Sequence, residues 1–499
     1  MPNEKTIISA VKKKSDFAGD VLKLVSGTTF AQALSLITAP VLTRLYAPEA
    51  YGVLALFGSI TGIIGVIVCL RYELAIMLPE NDKDAANLLG ASLGIASVIS
   101  LVMIPVFWWE GSPISQWLNT PSLATYLWLA PLVIFIGGVF SVLNYWNSRT
   151  RHFGRLSIAR VTHSLTTTPL MLCLGFVGHA TAGSMIGSGI AGQALATSVL
   201  GRQIWRDDGK AFLKAIHWRA MREGIKRYKK FPMFDSWAGL MNTVSAQLPP
   251  LLLAFFFSST AVGFYALGHR LLSMPMSLIG GAVARVFFQR AAVAKNDGTL
   301  PLVVRNTFTR LMALGSFPLL LVMVIGKDIF SVVFGSQWME AGVYAQILAP
   351  WLLFVFLGSP ISTLFSVLEM QESYLLFNSV LLATRVASLV AGGIANSILI
   401  SLMLYAGTGT IMWIGLCVYL LWKAGLPIRF LARDALQIMV IAAIALVPLV
   451  VLKGYGIQPA LAMISGCLSA LLYYTILYFR DEDLQRLVAR YVGRLFRGA

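Results

Sequence analysis

Residues 435–452 read ALQIMVIAAIALVPLVVL, eighteen residues without a charge, bounded by Arg433-Asp434 on one side and Lys453 on the other. A helix of about 20 such residues, rising ~1.5 Å each, crosses the ~30 Å hydrocarbon core of a bilayer. Carried outward along the chain, the same ruler places spans near 21–43, 51–71, 85–108, 123–146, 157–178 and 181–203. After a polar stretch they resume near 234–257, 262–288, 305–326, 344–368, 374–395, 398–422, 435–452 and 456–479, fourteen in all. Composition agrees: 57% of the 499 residues are hydrophobic and 12% charged, against about 25% charged in a soluble domain. A soluble globular protein, a disordered chain, a collagen-like repeat and a disulfide-rich scaffold are excluded together. The expected fold is an all-α polytopic membrane protein.

The net charge of +17 would point to nucleic acid in a soluble protein. In a membrane protein, basic residues held in cytoplasmic loops account for it, so no nucleic-acid partner is inferred. With the N-terminus inside, 34 of the 39 Lys and Arg fall on the cytoplasmic side, all but Arg44, Arg270, Lys327, Arg385 and Lys453. The expected topology is N-in and C-in. The charged N-terminal stretch leads into a full-length span without a small-residue cleavage site, so it is not read as a signal peptide. External loops are short, 109–122 being among the longest, and carry no soluble catalytic domain.

Two basic stretches have amphipathic spacing, as in helices that lie on anionic headgroups. In 211–230 the apolar set is Trp218, Met221, Ile225 and Tyr228; in the tail it is Leu484, Leu487, Val488, Tyr491, Val492 and Leu495. Topology anchoring explains both equally well. Cys69, Cys173, Cys417 and Cys467 lie in apolar segments and read as buried small hydrophobes. His163 and His179 have no second ligand at helical spacing, and no phosphate-binding loop is present. Neither a metal nor a cofactor is expected.

The halves echo each other. Phe140-Ser-Val-Leu143 recurs as Phe365-Ser-Val-Leu368, with Arg160-Val161 and Arg385-Val386 twenty residues past each Phe. Gly52-Val-Leu-Ala-Leu56 also aligns with Gly263-Phe-Tyr-Ala-Leu267. An even number of spans separates the copies, so both point the same way, as in parallel-repeat transporters. The expected organisation is a six-span lobe over 1–204, a basic loop over 205–233, and a second six-span lobe over 234–422. Two extra spans over 423–479 and a basic tail over 480–499 follow, outside the repeat.

A charge inside a span costs about 2.5–3.5 kcal/mol even on the lenient insertion scale, so it faces a cavity or a partner. Arg270 lies some eight residues into span eight, where it lines a cavity or makes a structural pair. Arg160 and Arg385, repeat mates at matching depth, form a symmetric cationic site or snorkel to the interface. Arg44 and Arg71 close spans one and two and read first as helix ends. A local ion pair is expected between Arg71 and Glu73. Gln32, Asn144, Asn242 and Gln247 are the uncharged polar candidates for a cavity, or for interhelical hydrogen bonds. Span one holds no carboxylate, and Asp235, Glu369 and Glu372 lie at span ends. A lumen with Arg and without Asp or Glu suits an anionic substrate, because guanidinium meets phosphate bidentately.

The stretches Leu42-Thr-Arg-Leu-Tyr-Ala-Pro-Glu-Ala-Tyr-Gly52, Arg71-Tyr-Glu-Leu-Ala-Ile-Met-Leu-Pro79 and Phe264-Tyr-Ala-Leu-Gly-His-Arg-Leu-Leu-Ser-Met-Pro275 resemble bacterial polysaccharide-biosynthesis (Wzx-type) flippases of the multidrug/oligosaccharidyl-lipid/polysaccharide exporter superfamily. The resemblance runs from about residue 20 to about 480. It implies two six-helix lobes around a cationic cavity in the bacterial inner membrane. It also implies transfer of an undecaprenyl-pyrophosphate-linked oligosaccharide, an O-antigen or exopolysaccharide unit, to the outer leaflet. Arg44, Arg71 and Arg270 stand at its motif positions. Membrane lipids and polysaccharide polymerase or assembly proteins are the partners it implies. Two alternatives belong to the same superfamily: a drug/cation antiporter, which needs a carboxylate in the N-terminal lobe, and a lipid II flippase. A membrane glycan ligase or polymerase would need a large external loop, which this chain lacks.

Overall fold

The computed structural model describes residues 26–480 and 485. The tail face from Leu484 to Leu495 therefore falls outside the described residues, apart from Gln485. Fourteen long helices occur among the described residues. They are α1 (26–45), α2 (Pro48–Gly65), α3 (Asp82–Trp117), α4 (Ala130–Arg149), α5 (Phe153–Phe176), α6 (Ala182–Ala215) and α7 (Ser236–Phe256). Then come α8 (Ser259–Asn296), α9 (Leu300–Phe334), α10 (Met339–Ile361), α11 (Gln371–Ile394), α12 (Ile398–Lys423), α13 (Ile428–Gly454) and α14 (Pro459–Arg480). Eleven are long and apolar enough to cross a bilayer; α1, α5 and α6 stand at the other three expected positions but fall short of that measure over their described residues. The chain is a multi-pass membrane protein.

It folds as two compact units, Met1–Ala266 and Leu267–Ala499. In the first, α2 crosses the first turns of α8 with Gly52 and Gly263 in backbone contact. A Cβ on Gly52 would lie 2.6 Å from the Ser259 carbonyl carbon, and one on Gly263 2.8 Å from that of Pro48. Only glycine permits this approach. Ser59 on α2 donates to Gln247 on α7 at 3.0 Å. Asn81 caps α3 by accepting from the Asp84 amide at 2.8 Å. A surface helix, Trp218–Arg227, lies against α3. Buried Asn87 holds its approach: the Asn87 amide donates to the Ala215 carbonyl and its oxygen accepts from the His217 amide, at 2.8 and 2.9 Å. Met221, Ile225 and Tyr228 are half-buried on this helix, as the spacing predicts, but Trp218 is 77% exposed. It therefore leaves the packed face and reaches outward as an interfacial anchor would.

In the second unit α10 is the most enclosed helix, packed by α9 and α12. Two breaks in α9 are answered from other helices. Near Ile325, whose φ of −123° leaves the helical region, Gln346 donates to the Met323 carbonyl at 3.0 Å. Lys453 donates to the Val324 carbonyl at 2.7 Å and pairs with Asp328 at 2.8 Å. Pro318 has no N–H, so the Leu314 carbonyl four residues earlier loses its helical partner. The Tyr474 hydroxyl of α14 supplies one at 2.9 Å, and Tyr473 donates to the Ala313 carbonyl at 2.8 Å. An unanswered carbonyl in hydrocarbon would cost several kcal/mol. The helices beyond the repeat are thus integral to this unit.

Two expectations are corrected. Cys69 and Cys417 are buried, but Cys173 and Cys467 are exposed, because a span presents apolar residues to lipid as well as to its neighbours. The Arg160–Arg385 echo is out of structural register. Helices α5 and α11 are both 24 residues long, yet Arg160 is the eighth residue of α5 and Arg385 the fifteenth of α11. Seven residues are about two helical turns, so a slip of that size keeps side chains near the same face and the apolar pattern nearly intact.

Candidate functional site

Four helices of the second unit bring an aromatic and cationic cluster together. Arg385, in the middle of α11, sets its guanidinium carbon 5.7 Å from the Trp351 ring centroid and 5.9 Å from that of Tyr405. Trp351 on α10 and Tyr405 on α12 meet edge to face at 5.0 Å. His269 on α8 stacks on Trp351 with 5.9 Å between centroids. Trp351 is 4% exposed, and its indole N–H has no hydrogen-bond partner among the described residues. Ring quadrupoles stabilise a desolvated guanidinium by up to about 2 kcal/mol, which explains how the charge is held within a span. Such a group can offer a planar N–H fork to a phosphate, and the neighbouring ring faces suit the C–H faces of a sugar. Arg270 follows His269 on α8 and is exposed. One residue turns it about 100° around the helix, so its backbone position aims it elsewhere.

In the first unit the expected Arg71–Glu73 pair does not form. Leu70 and Arg71 both adopt left-handed backbone, with φ of 49° and 62°, at a cost of about 1–2 kcal/mol each. This turn brings the Arg71 guanidinium to Asp235, 3.0 Å away in the π-helical turn Phe231–Asp235. Glu73 is left 4% exposed, with Oε2 unpartnered among the described residues. Burial raises its carboxyl above the usual range, which the Arg71 charge only partly opposes. The structure therefore holds a buried acid in the first unit, at the end of the second span, where the sequence reading expected only an ion-paired one.

The other candidates are dispersed. Arg44 is exposed and donates to the Pro40 carbonyl of its own helix at 2.9 Å. Arg160 donates to the Thr28 hydroxyl on α1. Gln247 accepts from Ser59, as an interhelical bond would have it. Gln32 has a buried side-chain oxygen without a partner among the described residues, Asn144 is half-buried and Asn242 exposed. His269, Trp351 and Tyr405 were not singled out from sequence. They sit on separate helices, and no linear spacing connects them.

The structure is similar to that described as lipid II flippase MurJ in its inward closed conformation. The TM-score is 0.71 at 13% identity, covering 92% of this chain and 99% of that one. An inward-facing multidrug resistance MATE family transporter of the MOP superfamily matches at a TM-score of 0.59 and 14% identity, covering 79% of this chain and 94% of that one. At these identities the likeness establishes a shared fold. In sequence, the teichuronic acid biosynthesis protein TuaB of Bacillus subtilis (strain 168) is 24% identical over 280 residues, covering 55% of this chain. The match spans 56% of that relative's length. The family described as polysaccharide biosynthesis protein matches residues 41–343. With more than half its length so matched, the chain belongs to the polysaccharide biosynthesis protein family.

Proposed function

We propose that the protein is a flippase that moves an undecaprenyl-pyrophosphate-linked oligosaccharide, an O-antigen or exopolysaccharide repeat unit, from the cytoplasmic to the outer leaflet of the bacterial inner membrane. The family match and the fold shared with a lipid II flippase support this reading. The observation that carries it is Arg385 seated on Trp351 and Tyr405 within the long helix α11. A pyrophosphate needs guanidinium, a glycan needs polar and aromatic surfaces, and the prenyl tail can stay in lipid. Arg385 is assigned to the pyrophosphate; Arg270, Arg160, Arg44, Arg71, Asn242, Gln247, Asn144 and Gln32 are the further substrate-path candidates.

In this reading the lobes are 1–204 and 234–422, joined by the basic loop 205–233, and they alternate access by rocking. The Gly52–Gly263 crossing and the Ser59–Gln247 bond are then contacts between lobes. With both termini cytoplasmic, Gly52 lies toward the external end of α2, and its crossing is the contact that opens to release substrate. The test is mass spectrometry of lipid-linked oligosaccharides after depletion of the protein in its native host. Accumulated polyprenyl-pyrophosphate glycan, inaccessible from outside the cell membrane, is the expected result. Unchanged lipid-linked glycan with altered drug sensitivity would overturn the proposal in favour of a drug/cation antiporter. Accumulated lipid II would make lipid II the substrate.

A further inference from the structure

One turn of the first unit, Arg71 to Glu73, holds the chain's approach to α7 at two points and leaves an acid beside them. The Arg71 guanidinium meets Asp235 on the π-helical turn at 3.0 Å. It also lies against Gly239 of α7, where an added Cβ would stand 3.4 Å from its central carbon. The Tyr72 hydroxyl donates to the Ile225 carbonyl of the surface helix at 3.0 Å. Glu73, next along, is buried with Oε2 unpartnered among the described residues. Segment 225–235 is therefore fastened at both ends to the two residues that precede this carboxyl.

The Arg71 charge favours the ionised form of Glu73, while burial and the Asp235 charge oppose it. Tyr145 on α4 and Cys69, in the turn before, are within electrostatic range of the same carboxyl. Arg149, at the end of α4, is taken up by the Ile76 and Pro79 carbonyls and by Asp82 at the start of α3. Asp84 bonds to Asn81, Lys83 is exposed, and so are Arg219, Arg222, Glu223, Lys226 and Arg227 on the surface helix. Among the described residues, the cation that acts on Glu73 is Arg71. Its present pair is weakly held, because the side chains of Arg71 and Asp235 are 25% and 44% exposed and an ion pair in that setting contributes little. An ionised carboxylate buried without a partner is strongly destabilising, so ionisation of Glu73 outweighs the Asp235 pair. Asp235, once released, is hydrated where it stands.

We propose that Glu73 is a proton-binding site that sets the partner of Arg71. With the proton bound, Arg71 stays on Asp235 and the start of α7 is held against the turn. When the proton leaves to water, the carboxylate draws Arg71 from Asp235 and the start of α7 is freed. The Glu73 O–H is the covalent bond that breaks, and the two carboxylates exchange one cation. The switch lies within the first unit and does not depend on the substrate transported.

The test is hydrogen exchange read by mass spectrometry on the full-length protein in neutral detergent, expressed as protection relative to the intrinsic rate at each pH. In wild type, protection of amides in 231–241 is expected to fall at least roughly fivefold between about pH 5 and about pH 8. Amides in 218–226, still held through Tyr72, are expected to change less than about twofold. Glu73→Gln, neutral at every pH, is expected to keep 231–241 protected at both. Asp235→Asn, which lacks the pair at every pH, is expected to leave it unprotected at both. Wild-type protection that is equal at the two pH values would overturn the proposal. So would Glu73→Gln retaining the wild-type dependence, since another group would then be titrating. General loss of protection across the first unit in Glu73→Gln would also overturn it, because the neutral side chain is the form assigned to this structure. Protection that follows sodium at constant pH would overturn it in favour of a metal cation.

Discussion

Gly52 and Gly263 touch reciprocally. A Cβ added to either would stand 3.1 Å from the amide nitrogen of the other and collide with the carbonyl four residues before it, at Ser259 or Pro48. Two copies of one motif related by a two-fold axis meet in this way, residue i on j and j on i. The echo between Gly52–Leu56 and Gly263–Leu267 is therefore a relation in space as well as in sequence.

Replacing either glycine with alanine should push α2 and α8 apart. Gly52→Ala and Gly263→Ala are each expected to cost about 1–3 kcal/mol, the usual range for overpacking. They should lower the thermal midpoint in detergent. Gly58→Ala, at a position with open space around the added carbon, should be neutral or stabilising by up to about 1 kcal/mol. Equal midpoints for all three variants would contradict the close crossing.

Arg385→Lys keeps the charge but removes the planar group that lies on Trp351 and Tyr405. It should reduce complementation of a depletion strain at least tenfold, and Arg385→Leu should abolish it, at matched protein levels. Lys327→Ala serves as control, with full complementation expected. Lys453 is unsuited to that purpose because it answers the Val324 carbonyl and pairs with Asp328.

Glu73 should make the protein less stable as pH rises. Its carboxyl in the folded chain is raised above its ordinary 4.5, so between that value and the folded one the native state holds the extra proton. Stability falls with pH across that interval. Glu73→Gln should raise the midpoint at neutral pH and flatten the dependence above about pH 4.5. A steeper dependence in the variant would contradict this.

Asn87→Ala leaves the Ala215 carbonyl and the His217 amide without their side-chain partner, at about 1–3 kcal/mol for buried groups. Limited proteolysis should then cut the 216–230 segment several-fold faster than in wild type. Cleavage should remain confined to that segment.

Spans such as 435–452 are legible because the cost of desolvating a charge is paid residue by residue, so a run of apolar side chains reports its surroundings by itself. Partner choice is not legible in that way. Arg71 has Glu73 two residues away, yet it meets Asp235 because left-handed backbone at Leu70 and at Arg71 itself redirects the chain. The Arg385 cluster draws on four helices, and only their packing brings His269, Trp351 and Tyr405 to one point. The Arg160 echo misleads for a related reason: a two-turn slip leaves an apolar helix looking much like itself.

The hydrogen bond from Tyr474 to the Leu314 carbonyl joins residues 160 positions apart. At the roughly 5–20 residues per second of translation, the bent turn of α9 leaves the ribosome about 8–30 s before the hydroxyl that completes it. During that interval α9 reaches the bilayer with an open carbonyl in its middle. Until α14 arrives, that carbonyl has to be answered by water or by local adjustment of the helix. Completion of this unit is therefore a late event in biogenesis, and a nascent chain stalled before residue 474 is a natural target for membrane quality control.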